Sequence, residues 1–361
     1  MINQPLYFLN THPDQISTQL NLSLLHQYQG FVQVNKIVDI PDFSTLLIMG
    51  YALESLPLLK QERSDLRIGV VDPRPTFVHQ PVGCDFILAN GIEMMDWYCR
   101  FTSNIFFYPI YPQLDRLGAP KRSSSSSSII LGYHGNKIHL LEMFPRITLA
   151  LEALTHYFSV ELWMMYNIKQ LGKWAKNVPQ GVKLRHLQWT EDGYSLYMSQ
   201  VDIGIVPALL PNLDENQEPS DHLLNQHPTD YTLTFKSTSN LGRAFVFYQY
   251  GIPVVADMIP SALQVMKNVE EGFICYSTAA WFDALYRLCA SVDLREQIGK
   301  KMLERFESHY AVKPTHQRLS SFLQEIEDDI PTPFASDIVQ TKYSWRTKWQ
   351  GLFQNIRQRL L

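Results

Sequence analysis

The run from Tyr231 to Asp257, YTLTFKSTSNLGRAFVFYQYGIPVVAD, constrains this chain more than any other, because an apolar helical stretch ends at Gly-Ile-Pro and passes directly into an apolar strand. Ser237 or Ser239 can cap a helix running to Tyr250, and Gly251 can take the left-handed conformation that ends it. Pro253 forbids continuation. Val254-Val255-Ala256 then reads as a strand covered by helices on both faces, the signature of a parallel α/β sheet. Asp257 follows its carboxyl end, where open α/β sheets place their ligands. Lys236 and Arg243 stand at the helix start, where free N–H groups and the helix dipole already favour negative charge. The pair predicts an anion clamp, with phosphate as the expected anion.

The rest of the chain repeats the strand–helix alternation. Before residue 122 the apolar runs Leu6–Leu9, Phe31–Val38, Leu46–Met49, Ile68–Val71, Phe86–Ala89 and Ile105–Tyr108 predict strands, with helices over Gln15–Gln27 and Glu93–Phe101. After residue 128 the predicted strands are Ile129–Tyr133, Val160–Tyr166, Leu184–Trp189, Ile203–Val206, Val254–Ala256 and Phe273–Cys275, with a helix from Ile138 to Tyr157. The expected fold class is therefore α/β, two Rossmann-like doubly wound parallel-sheet domains facing a cleft, with a carboxyl-terminal amphipathic helix. Six consecutive serines, Ser123–Ser128, divide an amino-terminal domain (1–122) from a second domain (129–330). Residues 208–231 form a long polar connection that is either functional or disordered. Residues 331–361 contain a basic amphipathic stretch with Trp345 and Trp349, suited either to packing against the fold or to an anionic membrane surface.

A net charge of −4 over 361 residues lacks the basic face that a general nucleic-acid binder needs, so no nucleic-acid partner is expected. Cys84, Cys99, Cys275 and Cys289 form no C-x-x-C pair and read as buried free thiols, which suits a reducing cytoplasm. No signal-like leader or membrane-length apolar run is present, and the expected setting is cytoplasmic. No G-x-G-x-x-G follows a predicted strand, which weighs against a nicotinamide oxidoreductase, and no G-x-S-x-G elbow suggests a serine hydrolase. Nothing calls for a cofactor, and no Asp-x-Asp calls for a metal.

Other candidate residues sit at strand ends. His134-Gly135-Asn136 joins a strand to a helix, where Gly135 permits close backbone approach and Asn136 can present donors to phosphate; a tight connection is the alternative. In the first domain His12, Asp14, Asp72 and Glu93 are the available acids and bases. Asp72 and Arg74 are the preferred pair facing the cleft, with a salt-bridged loop as the alternative.

The segments ILGYHGN (130–136), VDIGIVP (201–207), Lys236–Asp257 and LREQIG (294–299) resemble the GT-B glycosyltransferases with glycosyltransferase-group-1-like carboxyl-terminal domains, in particular bacterial enzymes of envelope polysaccharide synthesis. The resemblance implies transfer of a sugar from a nucleoside diphosphate sugar, bound by the second domain, to a glycan or lipid-linked acceptor shaped by the first, with the final helix crossing back. It implies that Lys236 and Arg243 hold the leaving diphosphate and that Ser237 and Asn240 belong to the same donor-binding segment; it also lets Trp189 cover the base, with a packed core ring as the alternative, and Glu270 and Glu271 approach the sugar, with a solvated helix end as the alternative. It leaves a peripheral membrane contact open. The chain departs from the pattern where many relatives carry a pair of glutamates, since Thr238 and Val246 occupy those positions. A scaffold that binds nucleotide or glycan without catalysis is therefore the competing expectation.

Overall fold

The computed structural model describes residues 5–328 except 52, 54–55, 74–80, 100, 115–127, 191–192 and 209–239. Lys236, Ser237 and Arg74 lie outside the described residues, as do Trp345 and Trp349.

Two six-stranded sheets, parallel throughout, carry the architecture. The first comprises β1 (Leu6–Leu9), β2 (Phe31–Val34), β3 (Thr45–Met49), β4 (Arg67–Val71), β5 (Phe86–Ala89) and β6 (Ile105–Phe107), in the order β2-β1-β3-β4-β5-β6. The second comprises β7 (Ile129–His134), β8 (Val160–Tyr166), β9 (Lys183–Gln188), β10 (Ile203–Val206), β11 (Val254–Asp257) and β12 (Phe273–Cys275), in the order β12-β11-β10-β7-β8-β9. Both are doubly wound, so each has a switch point where the winding reverses: β1/β3 in the first sheet and β7/β10 in the second. The central strands are buried on both faces: Leu46, Leu47, Ile48 and Met49 are wholly inaccessible. This is why these strands are unbroken apolar runs in sequence.

Several boundaries differ from the sequence reading. The predicted Phe31–Val38 strand ends at Val34, and a 3-10 turn follows at Ile37–Asp39. The helix expected over Ile138–Tyr157 is two, Ile138–Leu141 and Arg146–Leu154, with Pro145 at the N-cap of the second. The clamp helix runs only from Gly242 to Tyr248. Gly251 then adopts φ 62° and turns the chain into β11, as its position before Ile-Pro predicts.

Cys84, Cys275 and Cys289 are buried, and burial pushes each thiol up to about 12. Cys99 departs from the expectation and is exposed.

The helix Val312–Asp328 returns to the first sheet. Phe322 packs its ring 6.0 Å from Phe86 and 5.3 Å from Phe106, and Ser320 donates to the Tyr28 hydroxyl at 3.1 Å. The crossing element among the described residues thus lies upstream of residues 331–361, where the sequence reading placed it. No helix among the described residues is long and apolar enough to cross a membrane.

Candidate active site

The second sheet's switch point brings together two segments distant in sequence, the turn after β7 and the start of the Gly242–Tyr248 helix. Gly135 has φ 132°, a conformation that disfavours any side chain, and a Cβ there would stand 2.9 Å from Arg243 Cδ. The turn and the arginine are therefore in van der Waals contact. Arg243 Nη2 donates to the Pro207 carbonyl at the end of β10 (2.7 Å), and its guanidinium carbon lies 6.0 Å from the Tyr133 ring centroid. Arg243 Nη1 is buried and has no hydrogen-bond partner among the described residues.

His134 fixes this arrangement from below. Its Nε2 donates to the Arg243 carbonyl oxygen at 2.8 Å, which leaves Nδ1 to accept from the Tyr194 hydroxyl at 3.3 Å. Burial pushes the imidazole down to about 3, so the ring is neutral at physiological pH. The Tyr194 ring in turn meets the Trp189 ring edge to face at 6.4 Å. Trp189, Tyr194, His134 and Arg243 form one connected series across the ligand edge of the sheet. Tyr133 and Tyr194 escaped the sequence reading, since a tyrosine in an apolar segment has no pattern that separates a site from a core.

Asn136 lies in the same turn. Its side-chain oxygen accepts from Ile138 N–H at 3.1 Å, and its carbonyl accepts from the Tyr133 hydroxyl. His139, on the following helix, pairs with the buried Glu142 at 2.9 Å. Asn240, just before the clamp helix, accepts the Gly242 amide through its side chain at 2.8 Å. The N-cap of this helix is Leu241, which has no side-chain cap, so the cap expected from Ser237 or Ser239 is not the one used; Asn240 bonds the first helical amide from one residue further out.

Other candidates stand elsewhere. Glu270 and Glu271 precede β12, and because all six strands are parallel they lie at the sheet edge opposite His134 and Pro207. Glu271 is held there by the Lys267 amide at 2.9 Å and Arg305 at 4.0 Å, which explains its burial without a sugar. Asp257 does end β11 at the ligand edge but is fully buried: Arg146 grips it with two nitrogens at 2.7 and 3.2 Å, and Trp281 Nε1 and Ala208 N–H donate at 3.0 and 2.8 Å. It ties four segments together. Asp202 exchanges two hydrogen bonds with Ile130 and so sets the register of β10 beside β7.

In the first domain, Asp72 is 1% exposed, adopts φ 47° just after β4 and accepts from Asn90 Nδ2 at 2.6 Å. A carboxylate so enclosed shapes the end of the sheet; it does not present itself to an acceptor. His12 lies past β1 at the first switch point, its ring 5.9 Å from Tyr51. Glu93 reaches across to the second domain and accepts from Ser261 N–H at 3.0 Å.

The arrangement thus supplies a fixed cation and a neutral supporting imidazole at the mouth of a doubly wound domain that faces a second one. No family model matches the chain, and no curated protein matches it in sequence. Solved structures do match its shape. One from Anabaena, Alr3699/HepE in complex with UDP and glucose, superposes with a TM-score of 0.57 at 9% identity, over 90% of this chain and 100% of that one. The fold is GT-B. Sucrose-phosphate synthase from Thermosynechococcus elongatus shares the GT-B architecture with a TM-score of 0.51 at 11% identity, over 88% of this chain and 80% of that one. A TarM mutant from S. aureus, crystallised with fondaparinux, alpha-GlcNAc-glycerol and UDP, gives 0.51 at 11% identity, over 77% of this chain. The match spans only 55% of the TarM chain, so this protein covers about half the length of that GT-B structure.

Proposed function

We propose that the protein is a glycosyltransferase that moves a sugar from a nucleoside diphosphate sugar to a glycan or lipid-linked acceptor. The observation that carries the reading is Arg243: half-buried at the switch point, anchored through Nη2, with Nη1 buried and lacking a partner among the described residues. A buried guanidinium N–H without an acceptor is costly, and a diphosphate oxygen would satisfy it. Breaking the glycosidic bond leaves negative charge on the departing diphosphate as the sugar carbon becomes cationic, and a fixed cation there stabilises the transition state more than the ground state. Lys236 would supply a second, mobile charge. The Trp189–Tyr194 pair, joined to Arg243 through His134, is the aromatic surface we assign to the nucleobase. An inverting route would draw its base from the first domain, where His12 stands at the switch point; Asp72 is enclosed and unsuited to that role. UDP in the Anabaena and S. aureus structures supports a uridine nucleotide as the first donor to test. A bacterial envelope polysaccharide as product, work in the cytoplasm and a membrane contact through residues 343–361 belong to the same proposal.

The test is nucleoside diphosphate release from a panel of UDP-sugars with glycan and lipid-linked acceptors. Arg243→Ala is expected to lower turnover by about 100-fold or more with an unchanged melting temperature, and Arg243→Lys to restore part of it. UDP binding without release on any donor would favour the non-catalytic reading instead. UDP binding that is equally strong in Arg243→Ala would remove the basis of both.

A further inference from the structure

The cleft is closed at one point by a reciprocal exchange of helix caps. The helix Ile92–Tyr98 of the first domain begins after Gly91, and the helix Pro260–Val265 of the second begins after Ile259; neither has a side-chain cap from its own N-cap residue. The first amides of a helix have no partner within it and need one. Here each helix receives it from the other domain. Glu93 Oε1 accepts from Ser261 N–H at 3.0 Å, and Gln264 Oε1 accepts from Ile92 N–H at 3.0 Å. Pro260 has no N–H, so Ser261 provides the first amide of its helix. Gln264 Nε2 also reaches Met95 Sδ at 3.9 Å, which holds its amide in the orientation that turns the oxygen towards Ile92.

We propose that Glu93 and Gln264 are positioning residues of the cleft, paired caps that set the register of the two domains and part as one unit when it opens. The two bonds are coupled by geometry. Each residue that supplies an acceptor sits on the helix whose own amide is capped by its counterpart, so a displacement that breaks one bond carries the other apart. A second interdomain contact lies at the start of the Arg243 helix, where Gly242 meets the first domain so closely that a Cβ would stand 2.6 Å from the Ile110 carbonyl oxygen. Opening at the caps would therefore turn the first domain about the mouth of the Arg243 helix. The inference concerns the closure of the proposed active-site cleft and holds whether or not sugar transfer occurs there.

Amide hydrogen exchange on the full chain tests it without any ligand. In Gln264→Ala the Ile92 amide loses its acceptor, and the proposal requires the Ser261 amide, whose own acceptor Glu93 is intact, to exchange about tenfold faster as well. Glu93→Ala should produce the converse at Ile92. Glu93→Gln, which keeps a carbonyl acceptor, should leave both amides protected. The Leu114 amide, bonded to Gln249 behind the site, should be unchanged in all three. Acceleration confined to the amide whose acceptor was removed would overturn the proposal, as would loss of protection in Glu93→Gln. Acceleration of Leu114 together with the others would also overturn it, since it would mean loosening of the whole interface. Gln264 is half-exposed, so its variant retains the test if Glu93→Ala fails to fold. Because none of these readings uses turnover or nucleotide binding, failure here and failure of the transferase reading are separate results.

Discussion

Among the described residues, two of the places where the domains meet are built on opposite principles. Behind the site the junction is aromatic and buried: Tyr111 packs against Phe245 and Phe306 at 5.5 and 5.2 Å, Phe245 against Tyr310 at 4.9 Å, and the Tyr111 hydroxyl donates to the Tyr310 carbonyl. Across the mouth the junction is polar, resting on the Glu93 and Gln264 caps. Apolar burial scales with area and gives a stable, non-directional contact, whereas a hydrogen bond exchanged for water contributes little net free energy but dictates orientation. One junction therefore holds the domains together, and the other sets the angle between them.

The sharpest way to break this comparison is at the aromatic side. Phe245→Ala should destabilise the protein by about 3–5 kcal/mol, because a fully buried ring at the meeting of both domains leaves a cavity that neither can fill. Denaturant unfolding measures it, and a loss near 1 kcal/mol would show that the junction is not the structural one. Acid should act on the same region. His316 stacks on Tyr108 at 6.2 Å and meets Tyr28 edge to face, and burial pushes it down to about 4. Its folded value lies below the ordinary value of about 6.5, so the folded state binds fewer protons than the unfolded one. The stability it contributes is complete above pH 6.5 and is lost as pH falls towards 4, by on the order of 2–3 kcal/mol. His134, at about 3, acts in the same direction and extends the loss to lower pH. Stability measured from pH 7 to 4 should fall less steeply in His316→Asn. The smallest effects separate the polar contacts: Gln249→Leu, which strands the Leu114 amide and the Pro112 carbonyl inside the rear junction, should cost about 1–2 kcal/mol, against at most about 1 for Gln264→Ala at the half-exposed mouth.

Much of the fold is legible in the sequence because a parallel sheet covered on both faces must be written as short apolar runs, and the runs from Leu6 to Phe273 fall on the strands observed. The meeting of Gly135 with the Arg243 helix is legible for a related reason: a strand's carboxyl end and the start of a helix that leads into the next parallel strand both fall at one edge of a doubly wound sheet. Individual roles are less legible. Asp257 and Glu271 carry the same charge and adjoin strands, yet Asp257 is locked by Arg146 and Trp281 while Glu271 sits at the far edge. Local sequence cannot distinguish them, since the partners come from distant segments. Gln249 and Gln264 leave even less trace, because a glutamine that spans two domains looks in sequence like any polar residue on a helix. The split of the Ile138–Tyr157 segment was signalled by Pro145 inside an otherwise helical pattern.

Gly299 shows how the depth of the Arg243 helix is set from its far end. A Cβ at this position would overlap the Gly251 carbonyl oxygen, so the helix Val292–Arg305 lies directly on the backbone turn where the Arg243 helix stops. Even a methyl group there would have to be accommodated by lifting that turn, and a rigid two-turn rod transmits a lift at its base to the guanidinium at its tip. A residue far from the turn after β7 thus works as a spacer, and the seating of Arg243 beside Gly135 is gauged by the missing side chain of a glycine on a neighbouring helix.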